Sequence, residues 1–146
     1  YARGTKPDGT PWRVGFANPG QDGPAYIASF QLRDAVIAVS GAYQRYTEID
    51  GARYGHIFDP RTGYPAESDI VSVGVIHADG ATADFYSTTL YVQGLDAALT
   101  YIKEGGAALV LDEGNTLYVA ESLREGFLMN EEAQGYQVEF VAQTAA

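Results

Sequence analysis

Ile70-Val-Ser-Val-Gly-Val-Ile-His77, then Ala78-Asp79-Gly80, then Thr82-Ala-Asp-Phe-Tyr-Ser-Thr-Thr-Leu-Tyr-Val92 is the run in which the period of the sequence changes. The first eight residues are Val-rich and alternating, as a half-buried strand is. Beyond Gly80 the apolar positions recur at nearer four, which predicts a helix over Thr82–Val92. A second helix is expected over Leu95–Lys103, set off from the first at Gly94 and closed at Gly105-Gly106, where a helix C-terminus commonly turns left-handed.

Outward from this centre the chain reads as strands. Downstream, Ala107–Leu111 and Thr116–Ala120 flank a turn at Glu113-Gly114-Asn115, and Tyr136–Val141 is a last strand before a tail expected to fray from Ala142. Upstream, the Gly- and Pro-rich first 24 residues hold one apolar stretch, the strand Trp12–Ala17. Ala25–Leu32 and Ala35–Val39 are two strands joined by a tight turn at Arg33-Asp34. Between Arg45 and His56, Asp50-Gly51 divides two alternating segments and is the strongest hairpin signal in the sequence. Strands, a central helix pair and more strands predict one α+β domain over residues 1–146 with a largely antiparallel sheet.

Composition narrows the function. The 146 residues are 46% hydrophobic and 19% charged, ample for a packed core and unlike a disordered chain. A formal net charge of −10 repels phosphate backbones and makes nucleic acid a poor partner. The absence of cysteine excludes disulfides and thiolate metal sites and leaves the redox compartment open. No apolar run approaches the ~20 residues of a spanning helix. The chain opens at Tyr1-Ala2-Arg3 without an initiator Met or a signal peptide, so a fragment or a processed chain is expected.

Two segments hold groups capable of chemistry. His56-Ile-Phe-Asp-Pro-Arg-Thr-Gly-Tyr-Pro65 leaves a strand and enters a loop stiffened by Pro60, Gly63 and Pro65, presenting an imidazole and the Asp59 carboxylate on firm backbone. Asp84 and Thr88, four apart near a helix start, put a carboxylate and a hydroxyl on one face. Oxygen ligands of this kind suit magnesium, which favours a carboxylate plus substrate phosphate oxygens, and a helix N-terminus favours the phosphate itself. Each segment has a plain structural reading beside the chemical one. His56 can be a satisfied histidine, Asp59-Pro60 a turn initiator, and Asp84 a residue complementing the helix dipole.

Other residues weigh less. Tyr43, Tyr46 and Tyr54 suit either stacking on an aromatic ligand or packing within a hairpin. His77 reads as a solvated strand end. Arg45, Arg53 and Arg61 suit either phosphate binding or rim salt bridges, since each has an acidic neighbour in sequence. Gly4, Gly9 and Gly15 form no triphosphate loop.

Taken together and in order, Ser40-Gly41-Ala42-Tyr43, the Glu48-Ile-Asp-Gly51 hairpin, His56 to Pro65, and Ala83-Asp84 through Thr88 to Gly94 resemble the ApbE family of flavin transferases. The resemblance runs from about Lys6 to the final strand and covers only the family's C-terminal half. It implies a T-fold-like domain that takes FAD, uses magnesium to hold the pyrophosphate, and transfers FMN to a Thr or Ser hydroxyl of an acceptor protein with release of AMP. It assigns the essential histidine to His56, with Asp59 either orienting that imidazole or fixing its loop. The metal positions it assigns to Asp84 and Thr88, and cofactor contacts to Ser40, Tyr43, Arg61 and Thr62. A histidine can be neutral and basic near pH 7, as the acceptor hydroxyl requires.

Much of the flavin-ring pocket belongs to the family's N-terminal half, so a partner chain or a longer precursor is implied. The family's exported members make the periplasm or cell envelope the expected location. Two positions depart from the family pattern: Ala42 stands where relatives usually carry Asp or another polar residue, and Gly55 where many carry a second His before the matching His56. Two other functions are compatible with the same site, hydrolysis of FAD to FMN and AMP and a non-catalytic flavin-binding role.

Overall fold

The computed structural model describes residues 1–20, 23–43 and 45–144, with backbone alone at positions 52 and 53. Its strands are β1 (Trp12–Ala17), β2 (Tyr26–Leu32), β3 (Val36–Ser40), β4 (Tyr46–Ile49), β5 (Ala52–Gly55), β6 (Ile70–His77), β7 (Ala107–Asp112), β8 (Thr116–Ala120), β9 (Leu128–Met129) and β10 (Gln137–Val141). Helices α1 (Gly80–Gln93) and α2 (Leu95–Lys103) lie between β6 and β7. The fold is α+β, with three sheets that are antiparallel except for one pair.

The central sheet has five strands in the order β10-β8-β7-β6-β3, and both its faces are covered. Along β7 the side chains alternate, as strand geometry requires. Ala108 and Val110 pack under the helices with Val73, Val75, Leu90 and Ile102, while Leu109 and Leu111 pack with Phe16, Ile27 and Phe30 of the three-stranded sheet β1-β2-β9. The result is three layers: helix pair, five-stranded sheet, three-stranded sheet. Burial on both faces explains why Ala107–Leu111 is an unbroken apolar run rather than an alternating one.

The helix boundaries follow local chemistry. The Asp79 carboxylate caps α1, accepting hydrogen bonds from the Thr82 backbone N–H at 2.8 Å and from the Thr82 hydroxyl at 2.7 Å. The capped helix therefore starts two residues before the expected Thr82. Gly94, at φ 89°, ends α1 through its N–H bond to the Leu90 carbonyl. Asp69 then caps α2 by accepting the Leu95 N–H at 2.9 Å.

The turn at Arg33-Asp34 is present, with Asp34 at φ 47°, but it does not fold β2 back on β3. β2 pairs with β1 and β9, whereas β3 pairs with β6, so the turn hands the chain from one layer to the next. The expected hairpin at Asp50-Gly51 forms as a separate two-stranded ribbon, with both turn residues at positive φ. A 3-10 turn (Glu121–Gly126) and the two-residue β9 were not legible in the sequence, and β10 joins β8 in parallel. The expected fraying from Ala142 is corrected for the described part of the tail. Thr144 donates its N–H to the Lys103 carbonyl at 2.8 Å, and the Gln143 amide bonds Ser122 and Gly106. Residues 145 and 146 lie outside the described residues.

Candidate active site

Ser40 is the last residue of β3, an edge strand of the central sheet, and α1 lies over β3 and β6. The chain then turns sharply at Gly41, where any Cβ would fall 2.7 Å from the Val71 carbonyl oxygen and 2.9 Å from the Tyr43 ring. Only glycine allows that approach. The buried Tyr91 of α1 faces the Ala42 backbone from the helix side, and burial raises the pKa of this phenol.

The β4–β5 ribbon brings its two ends together at its base. There the Arg45 carbonyl accepts the His56 backbone N–H at 3.3 Å and lies 3.1 Å from His56 Nδ1. A carbonyl can only accept, so Nδ1 carries the proton and Nε2 is left as the basic nitrogen. Beyond His56, Ile57 is 8% exposed and anchors the loop in the helix-side core. The loop closes on itself through the Asp59 N–H to the Tyr64 carbonyl and the Ala66 N–H to the Ile57 carbonyl, each 2.9 Å.

These elements enclose a cleft of about 620 Å³ lined by Ser40, Gly41, Tyr43, Arg45, His56, Phe58, Asp84 and Thr88, among others. Asp84 and Thr88 present their side chains from the first turns of α1, both exposed. Phe58, 57% exposed, stands between this cleft and a second hollow of about 600 Å³ that also takes in Asp59, Arg61, Phe85 and Val92. Asp84 and Thr88 line both.

Of the residues singled out in the sequence, Ser40, Tyr43, His56, Asp84 and Thr88 converge on one cleft. Asp59 and Arg61 lie in the neighbouring hollow and are bonded to each other. Arg61 Nη2 and Nε donate to the Asp59 carboxylate at 2.6 and 2.9 Å, and the Arg61 backbone N–H adds a bond of 2.8 Å. The Arg61 guanidinium accordingly holds the Asp59 carboxyl below the usual carboxylate range. Those bonds run along the loop, not to His56. Thr62 lines neither space: its hydroxyl accepts the Tyr64 N–H at 3.2 Å and is part of the loop's own turn.

Tyr46 and Tyr54 line a hollow on the ribbon that His56, Phe58 and Pro65 share. His77 is exposed and accepts the Asp79 N–H at 3.0 Å, supporting the α1 cap. The Arg53 side chain lies outside the described residues.

Three residues at the cleft, two lining it and one beneath it, carry more than the sequence suggested. Arg45 is the one Lys or Arg side chain lining the cleft among the described residues, and no ion pair involving it occurs there. Phe58 forms the partition. Ser87 lies fully buried beneath the cleft, bonded to Ser40 at 2.9 Å. A polar residue in register with Ala83, Leu90 and Tyr91 on the buried face of α1 was the available signal for it.

Among the described residues no group of three His, Cys, Asp or Glu forms a self-sufficient metal cage. The Asp84 carboxylate and Thr88 hydroxyl instead fit a magnesium ion completed by phosphate oxygens, which is how this cation is commonly held.

The sequence model of the ApbE family matches residues 1–111. The chain is 36% identical over 117 residues to the FAD:protein FMN transferase of Escherichia coli K12, covering 79% of this chain and 33% of that protein. Among solved structures, the ApbE protein of Thermotoga maritima superposes with a TM-score of 0.70 at 38% identity, covering 82% of this chain and 39% of that one. The flavin transferase ApbE of Vibrio cholerae gives 0.63 at 29% identity, covering 91% and 39%. The chain spans about a third of the length of the curated relatives it matches. On both sequence and fold, it belongs to the ApbE family.

Proposed function

We propose that the protein transfers FMN from FAD to a Thr or Ser hydroxyl of an acceptor protein, releasing AMP, with magnesium bound at Asp84 and Thr88. The observation that carries this reading is the meeting in one cleft of a basic imidazole nitrogen and an oxygen pair on a helix. The relatives' name, FAD:protein FMN transferase, supports the reaction class.

The chemistry assigns each group a task. The acceptor oxygen attacks the FMN phosphorus, the P–O bond to AMP breaks, and AMP leaves as a monoester. The hydroxyl proton passes to His56 Nε2, whose orientation the Arg45 carbonyl maintains. Magnesium, when bound, neutralises pyrophosphate oxygens and aligns the phosphorus. Arg45 lies where it can take up charge on a non-bridging oxygen. Asp59 and Arg61 keep the His56–Pro65 loop in shape. The flavin-ring contacts from the family's N-terminal half, and a location in the cell envelope, belong to the same proposal and rest on family membership.

The test is incubation of the protein with FAD, magnesium and a Thr-containing acceptor, followed by intact-mass measurement. An FMN-sized gain on the acceptor, reduced about 100-fold or more in rate by His56→Ala, is the expected result. Rapid AMP release without acceptor, and no covalent flavin with it, would replace transfer by hydrolysis. Normal FAD binding with neither product would leave a flavin-binding role.

A further inference from the structure

Ser87, Ser40 and Thr88 form a chain of hydroxyls whose direction is fixed at its buried end. Ser87, fully buried in α1, donates to the Asp84 backbone carbonyl at 3.0 Å. Its oxygen lies 2.9 Å from Ser40 Oγ, and Ser40 Oγ lies 3.1 Å from Thr88 Oγ1. A carbonyl accepts and never donates, and a hydroxyl has one proton to give. The Ser87 proton is committed to Asp84, so Ser40 must donate to Ser87. The Ser40 proton is then committed as well, so Thr88 must donate to Ser40. The Thr88 proton is thus taken up by Ser40 at the cleft wall, leaving the Thr88 oxygen lone pairs free for a ligand in the cleft.

We propose that Ser87 is a positioning residue which, through Ser40, sets the Thr88 hydroxyl as an acceptor and so makes Asp84 and Thr88 a pair selective for a cation. With the opposite polarity Thr88 would offer a proton to the cleft and bind an anion directly. The relay also reassigns Ser40. Its proton is held by Ser87 under a side chain only 8% exposed, so Ser40 supports the metal ligand rather than donating to the flavin nucleotide. The burial of Ser87 is what gives the relay its direction, because no water competes for its proton there.

This inference rests on the magnesium site proposed above, and its test separates the two. Manganese affinity is measured directly, by the paramagnetic signal of the free ion, on the protein with FAD present, for Ser87→Ala, Ser40→Ala and Asp84→Asn. Breaking the relay at either serine should weaken cation binding about five- to tenfold, with the far-ultraviolet circular dichroism unchanged. The half-saturating magnesium concentration in turnover should rise by the same factor. The two serine changes should not add when combined, since each cuts the same chain. Ser87→Cys, which keeps a weak donor of similar size, should fall between Ser87→Ala and the parent. Should Ser87→Ala fail to fold, Ser40→Ala at the end of a strand carries the measurement.

Parental manganese affinity in a folded serine variant, with binding lost in Asp84→Asn, would overturn the relay and leave the metal site standing. Parental affinity in Asp84→Asn would overturn both.

Discussion

A Cβ built on Gly55 falls 2.8 Å from the Ala42 Cβ, closer than two such carbons approach. Gly55 and Ala42 are therefore spatial neighbours, and the small residue at one is matched by the small residue at the other. Gly55 directly precedes His56 at the base of the ribbon, and Ala42 lies in the turn after Ser40, so the two small residues meet between the segments that carry His56 and Ser40 to the cleft. Gly55→Ala should destabilise the protein by about 1–2 kcal/mol through overpacking. Adding Ala42→Gly should restore part of the loss, a non-additivity readable in thermal unfolding. Equal additive losses would mean that the walls move independently.

Arg45 should govern the affinity for FAD rather than the chemical step. In a chain of net charge −10, a guanidinium without an ion-pair partner among the described residues is the local attraction in the cleft for a pyrophosphate. Arg45→Ala should weaken FAD binding about tenfold at low ionic strength, measured by quenching of flavin fluorescence. Arg45→Lys should recover only part, because an ammonium cannot make the two-pronged contact. Because the residue is exposed, the parent's affinity should fall with added salt more steeply than that of the alanine variant. Identical salt responses would place the guanidinium outside the binding interaction.

The elements the sequence made legible are those whose determinants are local. Both helices, their division at Gly94 and the Asp50-Gly51 turn follow from neighbours a few residues apart. What it did not disclose needs long-range pairing: the passage of β2 and β3 into different sheets, the two-residue β9, and the parallel docking of β10 on β8. The cleft shows the same division. Ser40, His56 and Asp84 come from three separate segments, and only the ordered motifs brought them together in advance. Arg45 and Ser87 were undervalued for opposite reasons. An acidic neighbour in sequence does not place a carboxylate beside a guanidinium, and a serine on the apolar face of a helix shows its use only once Ser40 is seen beside it.

The Asp59–Arg61 pair favours loop fixing over imidazole orientation as the role of Asp59. All the Asp59 side-chain bonds run to Arg61, and they lower the carboxyl's pKa, chiefly through the Arg61 side chain and then through its backbone N–H. A carboxylate with a lowered folded pKa contributes stability above the ordinary value of about 3.9 and loses it as the pH falls through the folded value. Asp59→Asn should therefore unfold at lower urea concentration than the parent at pH 7, and the gap should close on acidification. Arg61→Ala should behave alike but more weakly, since the residue-61 backbone N–H can still donate to the carboxylate. A gap that persists unchanged in acid would show that charge is not what holds this loop. Loop fixing also predicts that both variants lose transfer rate together, because each releases the segment carrying His56. If Asp59 instead oriented the imidazole, Asp59→Asn would slow turnover while Arg61→Ala, which leaves the carboxylate in place, would not.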